Sequence, residues 1–194
     1  MGRISATESV SLDGVLQGPG RPDEDTRGGF AHGGWGNGYQ DEVSMSFMAE
    51  GMTGEGAMLF GRRTYEDLLG YWTTTAEPNP FTDLLTRAPK YVVSRSAETE
   101  LGYPNSTLLA GDAVQTVAAL RDSFDGDLTV LGSGELVRAL HRAGLIDEYV
   151  LQIHPIVLGS GQPLFGDSDR GSLTLQRSVA TTTGVLIAQY LVEY

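Results

Sequence analysis

Three short segments set arginine, hydroxyl and glycine where an apolar strand gives way to a turn. In Leu59-Phe60-Gly61-Arg62-Arg63-Thr64-Tyr65-Glu66 the pattern runs from strand through glycine into helix. An arginine at a helix N-terminus meets the positive end of the dipole, at a cost of about 0.3–1 kcal/mol each. Two in succession break a local rule, and such breaks tend to mark functional sites. A bound anion reverses the sign, because helix N–H groups, the Thr64 hydroxyl and two guanidinium groups then converge on a phosphate. The bland alternative leaves both arginines in solvent or paired with Glu66 and Asp67. A second apolar strand, Tyr91-Val92-Val93, delivers Ser94 and Arg95 at its carboxyl end, the end beyond which ligands bind in open α/β sheets. The third segment, Val130-Leu131-Gly132-Ser133-Gly134-Glu135-Leu136-Val137, forms a turn through which backbone can approach a pyrophosphate closely. It is not a Rossmann fingerprint, since Val137 stands where the third glycine belongs, and a tight structural turn explains it nearly as well. Together the three ends match a dinucleotide that carries a pyrophosphate and a separate 2′-phosphate.

The surrounding composition sharpens this contrast. The chain has 194 residues, 26 of them glycine, no cysteine, and a formal net charge of −12. Cysteine-ligated zinc, iron–sulfur clusters, disulfides and thiol catalysis are excluded, and no metal site is expected. The acidic balance argues against nucleic acid as a partner. No apolar run approaches a membrane span and the first residues lack a signal-peptide pattern, so a cytoplasmic protein is expected. Of the 13 basic residues only Lys90 is a lysine. It follows Pro89 and not a glycine, which removes a P-loop.

Elements that position these segments follow from periodicity. Strands are expected at Arg3–Val10, Ala57–Phe60, Tyr91–Ser94, Leu128–Leu131 and Tyr149–Leu158, the last interrupted by Pro155. Helices are expected at Asp41–Gly51 (through Met45, Met48 and Met52, with Phe47 beside them) and at Thr64–Tyr71. Two more are expected from the Asp112 cap to Phe124 and over Glu135–Ala143, the latter ended by Gly144. Leu173–Ser178 and Val185–Glu193 read as a hairpin joined through Thr181–Gly184. Alternating strands and helices imply an α/β fold in one domain over residues 1–194, with a mixed, mainly parallel sheet, helices on both faces and a C-terminal antiparallel hairpin. Between Gly18 and Gly38 lie eight glycines with Phe30, His32, Trp35 and Tyr39. A loop of about twenty residues is commonly an active-site lid or a disordered insertion; the aromatic residues favour a lid.

LFGRRTYE at Leu59–Glu66, YVVSR at Tyr91–Arg95, VLGSGEL at Val130–Leu136 and LIDEYVLQIHPIVLGSGQPLF at Leu145–Phe165 together resemble the dihydrofolate-reductase-like superfamily. The closer resemblance is to the reductase domain of bacterial riboflavin biosynthesis. It runs from Ser11-Leu12-Asp13-Gly14 to the C-terminal hairpin and implies an NADPH-binding oxidoreductase. Carried over by position, Gly61, Arg62, Arg63 and Thr64 match the motif at the cofactor phosphates. Ser94 and Arg95 match positions near the 2′-phosphate, and Gly132, Ser133, Gly134, Glu135 and Leu136 match the turn against the pyrophosphate. Dihydrofolate reductases carry a glycine pair at that turn, which Ser133 splits here. With no cysteine and no room for a zinc deaminase, deamination is not expected.

On the substrate side the resemblance implies a carboxylate on the helix before the glycine–arginine strand, for which Asp41 is the choice, with a helix cap as its alternative. Asp13 either faces substrate or makes an Asx turn. Trp35 and His32 are expected to meet a substrate ring when the loop closes. His154 is expected to be structural and His141 solvated. The implied activity is hydride transfer to a small heterocyclic or ribosylamino-pyrimidine substrate. Alternatives are dihydrofolate reduction and NADPH binding without turnover. The apolar strand Val185–Ala188 and the superfamily's habit of pairing suggest a homodimer.

Overall fold

The computed structural model describes residues 2–51, 56–74 and 80–194. Eight strands follow the order β4-β3-β2-β5-β1-β6-β8-β7, and the chain divides into two units, Met1–Ser5 with Gly54–Ile146 and Ala6–Thr53 with Asp147–Tyr194. β1 (Ile4–Ser11) runs from the first unit into the second.

In the first unit β2 (Gly56–Gly61), β3 (Lys90–Ser94), β4 (Ser106–Ala110) and β5 (Asp127–Leu131) are all parallel. The register sets Phe60 against Val92 and Leu59 against Val130. Their carboxyl ends therefore share one edge, as the motifs require. α2 (Arg62–Thr74) starts directly from β2 and outlasts its expected end at Tyr71. The Thr73 and Thr74 hydroxyls donate to the carbonyls of Leu69 and Gly70 in its last turn. Tyr65 and Leu69, four residues apart on α2, are buried with Phe60, Leu85 and Val92, the spacing of one helix face.

α3 (Pro80–Arg87) and β4 were not foreseen. α3 is two turns long and starts on proline, which suits a first helical position but reads as a break; β4 is short and half exposed. Lys90 is 1% exposed, and its Nζ donates to the carbonyls of Leu85 (2.7 Å) and Ala88 (2.8 Å). It satisfies carbonyls at the end of α3, where a cation also suits the dipole, and burial pulls its pKa below the usual lysine value. α4 (Ala113–Ser123) has the expected cap, Asp112 accepting from Gln115 N at 3.0 Å. α5 (Gly134–Arg142) ends as expected, with Gly144 at φ +67° and Leu145 N donating to the Leu140 carbonyl. His141, expected in solvent, is buried.

In the second unit α1 (Glu42–Gly51) precedes β6 (Glu148–His154), β7 (Ser172–Ala180) and β8 (Leu186–Glu193), with antiparallel β8 between β6 and β7. β6 stops at His154, whereas the sequence suggested a strand continuing past Pro155, a residue that cannot donate to a ladder. The buried face of α1 also differs from expectation. Met45 is 59% exposed, while Ser44 and Phe47 are buried and Phe47 packs on Val185 and Ile187; Met52 lies outside the described residues. Within Val185–Ala188, Val185, Ile187 and Ala188 are buried whereas Leu186 is 41% exposed.

Candidate functional site

The edge formed by the ends of β2, β3 and β5 brings the three arginine–glycine segments together. Gly61 N donates to Ser133 Oγ at 3.0 Å, and the Thr64 hydroxyl donates to the Gly132 carbonyl at 3.1 Å. Gly132 has φ +62°, a left-handed conformation that favours glycine. Gly61 is different: a side-chain carbon there would meet nothing nearer than Ser133 Oγ at 3.8 Å. The protein's own packing leaves this turn bare, so a ligand can approach the backbone. In α5 the first helical bond is Val137 N to the Ser133 carbonyl. The N–H groups of Gly134, Glu135 and Leu136 lie ahead of it, at the positive end of the helix dipole.

The hydroxyls of these segments hold the turns. Ser133 is 4% exposed and tied to Gly61 N, Thr64 is tied to Gly132, and Ser94 shares a hydrogen bond with Thr99 at 2.7 Å. Each fixes the turn, which leaves cation and N–H groups for an anion. Arg62 makes a two-oxygen pair with Glu66 (2.9 and 3.0 Å), and Arg63 faces Glu135 at 3.8 Å. The bland reading of two paired arginines therefore holds in part, although the partner of Arg63 lies on another helix. Arg95 is exposed at the end of β3. These donors suit phosphate, since guanidinium forks and helix N–H groups are the usual phosphate ligands. Among the described residues no cluster of His, Cys, Asp or Glu is arranged to hold a metal.

The second unit holds the residues expected on the substrate side. Asp41 caps α1 through Ser44 N (2.8 Å), and its other oxygen accepts from Thr182 N (2.6 Å) and the Thr182 hydroxyl (2.7 Å). These bonds, that from Ser44 N foremost, lower its pKa to about 2. Asp13 accepts from the Ser11 hydroxyl (2.7 Å), Leu158 N (3.1 Å) and Gly159 N (2.7 Å), which lower its pKa to about 2 as well. Both carboxylates act as acceptors that pin loops. The capping alternative for Asp41 is the one seen in this structure.

Trp35 is 7% exposed and its indole N–H donates to the Gln17 carbonyl at 2.7 Å, so it anchors the loop. Gln17, which sequence reasoning missed, is 2% exposed, and its side chain meets Asp25, the Arg27 carbonyl and Gln162 N. Phe30 and Trp35 pack with Val15. A side-chain carbon at Gly33 would lie 2.4 Å from the Pro22 carbonyl oxygen. Close backbone packing, more than freedom of movement, therefore accounts for this glycine. His32 is exposed and meets Phe30 edge-on. His154 is buried as expected, with Nδ1 3.0 Å from the Gln152 carbonyl and edge-to-face contacts to Trp35 and Tyr39. Burial holds its pKa below the usual histidine value. The missed contact from Thr182 to Asp41 had one signal, the run Thr181-Thr182-Thr183 at the hairpin turn.

The model of the RibD C-terminal domain matches residues 3–187. The uncharacterized protein YyaP of Bacillus subtilis (strain 168) is 31% identical over 140 residues, covering 69% of this chain and 72% of that protein. A crystal structure from Shewanella sp. PV-4, assigned to riboflavin biosynthesis, superposes with a TM-score of 0.71 at 24% identity, covering 99% of each chain. Dihydrofolate reductase from Enterococcus faecalis, complexed with NADP(H), superposes at 0.60 and 15% identity, covering all of this chain and 98% of that one. These superpositions show the dihydrofolate-reductase-like fold. No helix among the described residues is long and apolar enough to cross a membrane.

Proposed function

The chain belongs to the RibD C-terminal domain family, and from that premise we propose that it is an NADPH-dependent reductase acting in the cytoplasm on a small heterocyclic or ribosylamino-pyrimidine substrate. The observation that carries the reading is the shared edge of β2, β3 and β5, where Arg62, Arg63 and Arg95 meet bare backbone turns in a chain of net charge −12. Bound there, NADPH supplies the hydride. Arg62 and Arg63 would hold its phosphates with the N–H groups of Gly134, Glu135 and Leu136, and Arg95 would take the 2′-phosphate. Gly61 and Gly132 let the backbone come close, while Thr64, Ser94 and Ser133 keep the turns in shape. The protein's contribution is orientation and electrostatic complementarity.

Titration of the purified chain with NADPH and NADH tests the reading. NADPH is expected to bind at least tenfold more tightly, and Arg95→Ala to abolish that preference, since a charge-assisted hydrogen bond is worth about 1.5–3 kcal/mol. Equal affinity for the two cofactors overturns the assignment of the arginines. Following NADPH absorbance with the ribosylamino-pyrimidine and with dihydrofolate then separates the substrates. Dihydrofolate reduction is the weaker alternative, because Asp41 is engaged by Ser44 and Thr182. NADPH binding with neither substrate consumed would favour a binding protein. A homodimer is part of this reading through the family resemblance alone.

A further inference from the structure

We infer that Glu66 and Glu135 set the anion affinity of the arginine edge, each holding a guanidinium group that the ligand must take over. The inference rests on the phosphate reading above and adds two residues to it. Arg62 and Glu66 both lie on α2, four residues apart, with the cation toward the N-terminus. That order opposes the helix dipole, which favours acid first and base second, so helix stability is a poor reason for the pair. Its local effect is to neutralise Arg62. The pair of Arg63 with Glu135 joins the first turns of α2 and α5, the two helices that begin at the proposed phosphate turns.

Both pairs are easily exchanged. The side chains are 45% and 49% exposed in the first and 65% and 64% in the second, and exposed pairs contribute little net stability. The pyrophosphate of a dinucleotide carries two charges and accepts guanidinium bidentately, so it displaces a single carboxylate. With Glu66 and Glu135 in place the three arginines present a net local charge near +1; without them the same edge presents +3. The carboxylates therefore lower affinity for any anion and favour ligands charged enough to displace them.

Isothermal titration of the full chain with NADPH and with adenosine 2′,5′-bisphosphate, at low ionic strength, is the test. Glu66→Gln and Glu135→Gln are each expected to tighten binding about two- to five-fold, and the double variant by roughly the product. Asp122→Asn, on the exposed surface of α4, removes one charge away from the edge and is expected to leave affinity unchanged. Melting temperatures should stay close to that of the parent chain, and high salt should shrink the gain. Unchanged or weaker binding in both glutamine variants overturns the inference, as does an equal gain in Asp122→Asn. If the parent chain binds neither probe, the phosphate reading itself fails and this inference fails with it. Parent binding with unaffected variants overturns the role of the two glutamates alone.

Discussion

Replacing Trp35 by Phe separates an anchor of the glycine-rich loop from a residue that meets substrate. The indole is 7% exposed, and its N–H reaches the Gln17 carbonyl at 2.7 Å. Phenylalanine keeps an aromatic ring against Val15 and Phe30 but removes that donor. A buried carbonyl left without its partner costs about 1–3 kcal/mol, and the smaller ring forfeits some contact with its neighbours. A total near 2–3 kcal/mol raises the population of the opened loop roughly 30- to 150-fold, at tenfold per 1.4 kcal/mol. Arg27, followed by Gly28, lies inside the loop and provides a trypsin site. When reclosing is fast, cleavage follows the open population, so limited proteolysis read by mass spectrometry reports this factor directly. Cleavage after Arg27 should accelerate by more than tenfold in Trp35→Phe. A rise below about threefold would refute the anchoring role and restore a ligand-facing one.

Two further outcomes concern stability. Lys90→Met leaves the carbonyls of Leu85 and Ala88 without the ammonium donor and is expected to lower the unfolding free energy by about 2–4 kcal/mol, measured by urea denaturation; an unchanged midpoint would contradict it. Asp13 and Asp41 have folded pKa values of about 2 against 3.8, so the unfolded chain binds more protons between those values. Their contribution is complete above about pH 4 and is lost as the pH falls toward 2. The folded pKa of His154 is also depressed, so its contribution is present above pH 6.5 and fades on acidification below it. Urea midpoints followed from pH 7.5 to 3 should fall in these two windows, and Asp41→Asn and His154→Phe should each flatten one of them.

Most strands, the mainly parallel sheet and the arginine edge were legible because they rest on local signals: apolar runs, glycine at the turn, a cap at Asp112, Gly144 closing α5. α3 and β4 escaped because one is two turns long and the other half exposed. Burial of α1 was misread since three methionines suggested a stripe, whereas the sheet beneath selects Phe47 and its neighbours. The partners of Asp13, Asp41 and Trp35 lie 145, 141 and 18 residues away, distances at which sequence spacing carries no geometry. A motif can name a residue, but its protonation and direction follow from groups folded against it.

That distinction bears on the reaction. Hydride addition to a C=N or C=O carbon leaves negative charge on the heteroatom, which a proton must neutralise. A general acid has to carry that proton near neutral pH, as a carboxyl does when burial raises its pKa. Asp13 and Asp41 show the opposite environment, each with three or more N–H or O–H donors that favour the charged form. On the reductase reading above, an acceptor held in this way is a poor proton donor, and neutralising either one would break a loop contact before it helped a substrate. The same reading takes solvent, or a group on the substrate, as the proton source. A kcat that stays flat from pH 6 to 8 in the parent chain and in Asp13→Asn, with only stability reduced in the variant, agrees with this assignment. A kcat lost in Asp13→Asn while the fold stays intact would return the carboxylate to the chemistry.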